Sequence, residues 1–435
     1  MNDNAADFDT TMPQGPFTSY ADVLAHLDNL GLFHMELDLA RIKRVLEELE
    51  LTRPEYPVVQ VVGTNGKGST ATFMASIATG AGFSTGLFIS PHFITPRERV
   101  LVDGEMLPEE DWLVLANDIM AAGGEVLTYF EFLTVLAALA FADYEVDLAV
   151  FEAGLGGTYD ATTAIAADTV VFTPVALDHQ QILGDTVEKI AADKAGAIRS
   201  NVPVVSARQT DAVLEILKNA SNTAGAPFIV AAGPDSLPEE ARPVLNGVHQ
   251  LHNAALAVAA LQTVMDEKAL PRPTLIPWSD VVTLGIADAW IAGRMQHIAP
   301  APDHPALILD GGHNLHGLRA LQAALAAENI RPAAIIFGAM KDKNLEGIPD
   351  LLSALTDGPV LLPALTQNSR AATPQELAVR LGGAPDGPTE TIPCASVREA
   401  LDKAAAYAAE NPVLICGSLY LLADFFTLHP EYLRP

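Results

Sequence analysis

One stretch constrains the fold more than any other: Val58-Val59-Gln60-Val61-Val62-Gly63-Thr64-Asn65-Gly66-Lys67-Gly68-Ser69-Thr70. A strand-like apolar run passes into a Gly-rich turn with a single lysine, then into Ala71–Ala78, which reads as helix. That order is the layout of a phosphate-binding loop. Backbone N–H groups close around phosphate oxygens, the helix start adds positive field, Lys67 reaches the outer phosphates and a hydroxyl can hold Mg2+. The generic pattern places Ser or Thr directly after the lysine, whereas here Gly68 intervenes. The bland alternative, a glycine turn with no ligand, leaves the Lys-Gly-Ser-Thr cluster without a purpose.

The rest of the chain continues the alternation. Val58–Val62, Ser84–Ile89, Leu148–Glu152, Val170–Pro174 and Pro203–Ser206 read as buried strands. Ala71–Ala81, Glu109–Ala121, Glu131–Ala142, Thr186–Ala197 and Asp211–Thr223 read as helices. Such a pattern implies a parallel sheet covered on both faces, with ligands bound at the carboxyl ends of its strands. Pro-rich breaks fall at Gly233–Pro243, Pro271–Pro277 and Pro300–Pro305. Beyond them a second series begins, with strands at Ala306–Asp310, Ala333–Phe337, Val360–Leu362 and Val413–Cys416. Its helices are expected at Leu315–Ala327, Leu345–Leu355, Pro374–Leu381 and Val397–Glu410. A chain of 435 residues exceeds one ordinary core. The expectation is therefore an α/β protein divided near Arg294: a phosphate-loop nucleotide-binding domain with a parallel-rich sheet (1–294) and a smaller Rossmann-like α/β domain (295–435).

Charge and composition narrow the partners. The net charge of −29 repels nucleic acid and anionic membranes, so an anionic ligand needs a local cationic pocket. The most apolar window, Phe132–Phe151, holds Asp143, Glu145 and Asp147, and reads as a helix followed by a buried strand rather than a membrane span. Met1–Asp9 is acidic and lacks the basic and apolar regions of a secretory signal. Cys394 and Cys416 lie far apart in apolar surroundings, as reduced core thiols of a cytoplasmic protein would.

Chemistry-bearing residues gather where strands end. Ser90-Pro91-His92, Glu152-Ala153-Gly154-Leu155-Gly156-Gly157 and Leu177-Asp178-His179 each follow a strand, so a hydroxyl, a carboxylate and an imidazole converge beside the phosphate loop as a divalent-cation site. An imidazole ligand makes Mn2+ acceptable beside Mg2+. Lys194, within Asp193-Lys194-Ala195-Gly196, reads locally as a solvated lysine in a charge pair. Asp310-Gly311-Gly312-His313-Asn314 closes a strand of the second series and places a carboxylate and an imidazole where a ligand from the other domain is met.

Together these motifs resemble the Mur ligase superfamily, and more closely the folylpolyglutamate synthases and bifunctional dihydrofolate/folylpolyglutamate synthases. The likeness runs from near Leu32–Leu49 to Ser418-Leu419-Tyr420 and includes Thr128-Tyr129-Phe130-Glu131, Asp160-Ala161-Thr162 and Leu183-Gly184-Asp185-Thr186. Gly68 is what this family carries after the loop lysine. The resemblance implies a Mur-ligase-type fold and ATP-dependent amide formation, in which a substrate carboxylate becomes an acyl phosphate and the amine of L-glutamate displaces phosphate. It implies dihydropteroate or folates as acceptors, two Mg2+ ions with K+ as a further cation, and a cytoplasmic monomer. Asn65, Gly66, Lys67 and Gly68 match the ATP loop, and Asn253, Arg294 and Asp310 match nucleotide contacts, with His313 their companion. Ser69, Ser90, Glu152 and His179 match metal ligands. Lys194 matches the lysine that the family carbamylates, which reverses its local reading, and Lys67, His179 and Lys194 carry the catalytic roles. Thr128, Tyr129, Phe130, Glu131, Tyr159, Asp160 and Ala161 match the pterin-substrate surface.

Thr158 and Thr163 stand where the family usually has Arg and Asn, Gln180 replaces a common Thr, and Gly312 and Leu315 replace Ala and Pro. None is a proposed metal ligand; the first two bear on pteroate contacts. The alternative is a Mur-type amino-acid ligase acting on another carboxylate acceptor, although only about 55 residues precede the loop, short of the usual additional domain. A non-catalytic ATP-binding module is the third reading, opposed by Lys67, Glu152, His179 and Lys194.

Overall fold

The computed structural model describes residues 15–31, 37–271, 276–366, 370–382, 387–388, 390–408 and 411–434. The Met1–Asp9 segment, part of the Pro271–Pro277 break and the end of the helix expected to reach Glu410 lie outside them.

Two sheets organise the chain. The first contains β1 (Val58–Val62), β2 (Thr85–Phe88), β3 (Val100–Val102), β4 (Glu105–Met106), β5 (Leu148–Glu152), β6 (Thr169–Phe172), β7 (Val204–Ser206) and β8 (Phe228–Val230). Their order across the sheet is β4-β3-β2-β5-β1-β6-β7-β8, and only β3 runs against the others, so that the β2–β3 and β3–β4 pairings are antiparallel. The second contains β9 (Gln296–Ile298), β10 (Leu307–Leu309), β11 (Ala334–Phe337), β12 (Val360–Pro363), β13 (Thr391–Cys394) and β14 (Val413–Cys416). Its order is β13-β12-β11-β14-β10-β9, parallel except for β9. Apolar clusters cover both faces of each sheet, which is why their central strands are buried along their whole length and mostly apolar. The one polar residue of β1, Gln60, is 1 % exposed and is satisfied by donating Nε2–H to the hydroxyls of Thr162 (2.8 Å) and Thr163 (2.7 Å).

Register sets the site. Val61 pairs with Glu152, Val62 with Phe172, and Phe88 with Phe151. The carboxyl ends of β2, β5, β1 and β6 therefore stand side by side, and the segments that leave them carry Ser90, Glu152, the Gly63–Ser69 loop and Asp178-His179.

The helix after β1 spans Lys67–Gly80, beginning at the lysine and not at Ala71 as the sequence suggested. It is buried almost all round, because two helices clamp it: Val248–Glu267 and Trp278–Asp288. Ser76 Oγ donates to Gly285 O at 2.7 Å where the two backbones approach. Among the described residues no helix is long and apolar enough to cross a membrane. Cys394 and Cys416 are buried free thiols.

Candidate active site

Gly66, at φ +84°, is the N-cap of the Lys67–Gly80 helix. That left-handed turn is open to glycine at little cost and lets the loop swing its amides to one side. Thr70 N is the first to bond back into the helix, to Gly66 O at 2.9 Å. The amides of Gly66, Lys67, Gly68 and Ser69 are thus the orphan donors of a helix start, available to an anion. Thr64 and Asn65 tie the loop down by donating their amides to Pro174 O. Lys67 Nζ rests 3.3 Å from Thr64 O. Asn253 stands against the loop from the 248–267 helix, so close that a Cβ at Gly66 would lie 2.6 Å from its Oδ1.

Glu152 faces this loop. Its carboxylate is 4 % exposed, accepts the Ser90 amide at 2.8 Å, and would lie 3.4 Å from a Cβ at Gly68. Burial raises its pKa, against the pull of Lys67, Arg294 and Arg99. A buried carboxylate with one backbone partner retains lone pairs for a cation. Ser69 is 2 % exposed within the same turn. His179, at φ +49°, has its side chain 44 % exposed at the mouth; desolvation, partly opposed by Asp178, lowers its pKa to about 4, leaving a neutral imidazole.

Lys194 departs from its local reading. It is 4 % exposed, and its Nζ donates to Gly63 O at 2.7 Å behind the loop. Burial and the charge of Lys67 bring its pKa down to about 7. Lys67 thus acts electrostatically on Glu152, His179 and Lys194 alike, and these groups share one neighbourhood. The donor set of Ser69, Ser90, Glu152 and His179 fits a hard or borderline divalent cation. Unmodified, Lys194 is a hydrogen-bond donor and not a ligand.

The second sheet brings the residues after β10. Asp310 is 6 % exposed and spends both oxygens on backbone amides, those of Met295 (3.0 Å) and Gly312 (2.8 Å). This fixes the turns carrying Arg294 and His313. Arg294 lies beside Gly311 and bonds to Gly293 O at 3.2 Å. His313 Nδ1 faces Gly311 O at 2.9 Å, and its Nε2 faces Asp178 Oδ2 at 3.1 Å. Asn314 and Asn65 exchange side-chain amide bonds at 3.0 and 3.1 Å. The phosphate loop therefore touches the second sheet's strand end directly.

Sequence reasoning placed Asp178 in the Leu177-Asp178-His179 cluster without giving it a role, and omitted Lys343. Lys343 Nζ pairs with Asp178 Oδ1, and Asn314 Nδ2 donates to Asp178 Oδ2 at 2.9 Å. The available signal was the charged run Lys341-Asp342-Lys343 soon after β11, in the position of a strand-end loop. Buried Arg99 was also missed: it donates Nε–H to His92 Nδ1 at 2.8 Å and lies 5.5 Å over the Tyr129 ring.

The expected pterin surface divides. Glu131 Oε2 accepts from the Thr128 amide and hydroxyl, as a helix capping box, and from Arg41 Nε at 2.8 Å. Asp160 accepts from Leu155 N and from Thr162. Thr128, Tyr129, Glu131, Asp160 and Ala161 are buried, Phe130 is partly exposed beside Gly154, and Tyr159 is 50 % exposed. Thr158 and Thr163 are absorbed locally, donating to Asp193 O (2.8 Å) and Gly157 O (2.7 Å).

Comparison with known proteins gives the chain's relatives. Residues 293–419 match the family described as Mur ligase, glutamate ligase domain. The dihydrofolate synthase/folylpolyglutamate synthase of Escherichia coli is 33 % identical over 422 residues, covering 95 % of this chain and 96 % of that protein. Among solved structures, Escherichia coli FolC in complex with DHPP and ADP superposes with a TM-score of 0.82 at 30 % identity, covering 95 % of this chain and 98 % of that one. A bifunctional folylpolyglutamate synthase/dihydrofolate synthase with Mn, AMPPNP and L-glutamate bound gives 0.80 at 31 % identity, covering 96 % and 100 %.

Proposed function

The chain belongs to the dihydrofolate synthase/folylpolyglutamate synthase family, and on that premise we propose that it joins L-glutamate both to dihydropteroate and to reduced folyl-glutamates. It is an ATP-dependent ligase of the Mur type. The observation that carries the residue assignments is the convergence of Lys67, Glu152 and Lys194 with the Asp310–Asn314 turn of the second sheet, joined through Asp178.

In this reading residues 1–294 and 295–435 are two domains that close over ATP. Lys67 and the amides of Gly66–Ser69 hold the outer phosphates, with Asn65, Asn253, Arg294, Asp310 and His313 completing the nucleotide site. Ser69, Ser90, Glu152, His179 and a carbamylated Lys194 would hold divalent cations, whose charge would offset that of the phosphates. The acceptor carboxylate attacks the γ-phosphorus as the bond to ADP breaks. The glutamate amine then attacks the acyl carbon, loses a proton, and inorganic phosphate departs. Lys67 and the loop donors oppose the repulsion between carboxylate and triphosphate, and Glu152 keeps the cations against the loop. Phe130 and Tyr159 offer the exposed aromatic surface for the pterin. The net acidity and the two buried thiols support a cytoplasmic enzyme without a nucleic-acid partner.

The test is phosphate release with ATP, Mg2+ and L-glutamate, comparing 7,8-dihydropteroate with tetrahydrofolate. Turnover with both supports the bifunctional reading. Turnover with tetrahydrofolate alone restricts it to chain extension and points to Thr158 and Thr163. Failure with both refutes it in favour of another carboxylate acceptor.

A further inference from the structure

We propose that Asp303, His304, His429 and Glu431 bind one divalent transition-metal ion of the zinc class, clasping the carboxy-terminal segment to the β9–β10 hairpin. The place is separate from the ligase cleft. Asp303 and His304 precede β10, whereas Asp310–Asn314 follow it. His429 comes at the far end of the Leu419–Leu428 helix, and Glu431 two residues later.

The chemistry begins with two histidines in deep burial, His304 at 5 % and His429 at 2 % exposure. His304 Nδ1 is 2.8 Å from Pro305 O. A carbonyl only accepts, so Nδ1 carries the proton and Nε2 presents its lone pair, the tautomer that backbone carbonyls impose on metal-binding histidines. The group now facing that lone pair is the Tyr432 hydroxyl at 3.0 Å, which is free to rotate its hydrogen away or to turn aside.

His429 is less well provided for. Its Nδ1 lies 3.4 Å from Glu431 Oε1 and 3.8 Å from Asp303 Oδ2, both long for a charge-assisted bond. Its Nε2 is buried with no hydrogen-bond partner. An imidazole so enclosed and so poorly bonded stands out among buried polar groups. Coordination at Nδ1 would supply the missing strong interaction and would use both carboxylates.

One donor atom from each of Asp303, His304 and His429 lies within 4.8 Å of the others, and the two rings stand 5.2 Å apart at 85°. Tetrahedral ligands at bond lengths of about 2.0–2.2 Å sit roughly 3.3–3.6 Å apart, so modest turns of side chains close the shell. The Asp303 and Glu431 side chains, 53 % and 58 % exposed, are free to make them and open a path from solvent. Two imidazoles with two carboxylates suit Zn2+ or Co2+ and disfavour Mg2+, which demands oxygen ligands in octahedral array. The rival account is an aromatic-histidine staple with Phe425 and Tyr432 and no ion.

The experiment uses the full chain, stripped of metal, with its ligase cleft saturated by Mg2+ and a non-hydrolysable ATP analogue. Titration with Co2+ is expected to produce the intense visible absorption of a tetrahedral centre at one equivalent, displaced by Zn2+. Asp303→Asn combined with Glu431→Gln changes only exposed side chains; it should weaken Co2+ binding about tenfold or more and leave Mg2+-supported turnover intact. Zn2+ should also raise the thermal midpoint of the parent and not of the variant. No Co2+ bound beyond the cleft, or an identical affinity and spectrum in parent and variant, would overturn the proposal in favour of the aromatic staple.

Discussion

Asp178 Oδ2 stands 3.1 Å from His313 Nε2, so a carboxylate set by the first sheet is held by an imidazole set by the second. Burial alone would raise the Asp178 pKa, but the hydrogen bond and charge of His313, with His179 and Lys343, hold it well below the usual carboxylate range. A depressed carboxyl contributes stability above its unfolded value, and loses it only as pH falls through the folded one. The contact therefore persists across the neutral range and fades only in strong acid. Asp178→Asn keeps the shape but removes the charge that Lys343 and His313 share. It should lower kcat/KM about 10²-fold, equivalent to about 2.7 kcal/mol, and leave the two proposed domains more open in solution scattering with an ATP analogue. Parent-like turnover and scattering would make the contact incidental.

Lys67 is the first residue of the helix that Gly66 caps, and among the described residues no other lysine follows a strand–glycine turn in the first sheet. Lys67→Ala should reduce turnover by about 10³-fold or more, because a preorganised positive charge at a transferring phosphoryl group acts chiefly in the transition state. Burial of Lys194 should also cost less once the neighbouring cation is gone, so its pKa should rise in the same variant. Near-normal kinetics would refute the loop assignment.

What the sequence disclosed depended on how local each signal was. The bounds of β1, of Glu109–Ala121, of Asp211–Thr223 and of Leu315–Ala327 coincide with expectation, because periodicity and flanking breakers agree there. Val248–Glu267 and Trp278–Asp288 escaped notice although they clamp the loop helix; one is apolar on nearly every side and the other follows a Pro-rich break. The short antiparallel strands β3, β4 and β9 were also invisible, being two or three residues long. Thr128 and Glu131 spelled a capping box that the family resemblance overshadowed. Burial of Lys194 is a tertiary fact with no trace in the residues beside it, and the charged run Lys341-Asp342-Lys343 marks a strand-end loop without saying that Lys343 meets Asp178.

Gly285 sits where the Trp278–Asp288 helix crosses the loop helix, and a Cβ there would lie 2.5 Å from Ile77 Cα. Alanine normally favours a helix by about 1 kcal/mol over glycine. Here the backbone-to-backbone approach reverses the sign, and Gly285→Ala should destabilise the first cooperative unfolding transition by about 1–2 kcal/mol. The displaced helix should also raise the KM for ATP. A stabilised variant in denaturant titration would mean that the helices part at no cost.

Burial and the charge of Lys67 bring the Lys194 pKa down to about 7, so its charge changes near neutral pH. Below its folded value of about 7 the amine is charged in both states, and the full cost of burying that charge is felt. Between about 7 and 10.5 the folded protein has released a proton that the unfolded chain still holds, so stability rises with pH through that window. The same neutral amine is what carbon dioxide needs, since only an unprotonated nitrogen forms a carbamate. Enzyme freed of carbon dioxide should therefore regain activity on bicarbonate addition more fully at about pH 8 than at about pH 6. Labelled carbonate should appear on Lys194 by NMR over the same range. Lys194→Ala should lose about 10²-fold or more in turnover and recover part of it with short carboxylic acids, which replace the missing oxygens beside Glu152. An unmodified mass, with turnover indifferent to bicarbonate at both pH values, would leave Lys194 as the cation that braces Gly63 O and would remove it from the metal site.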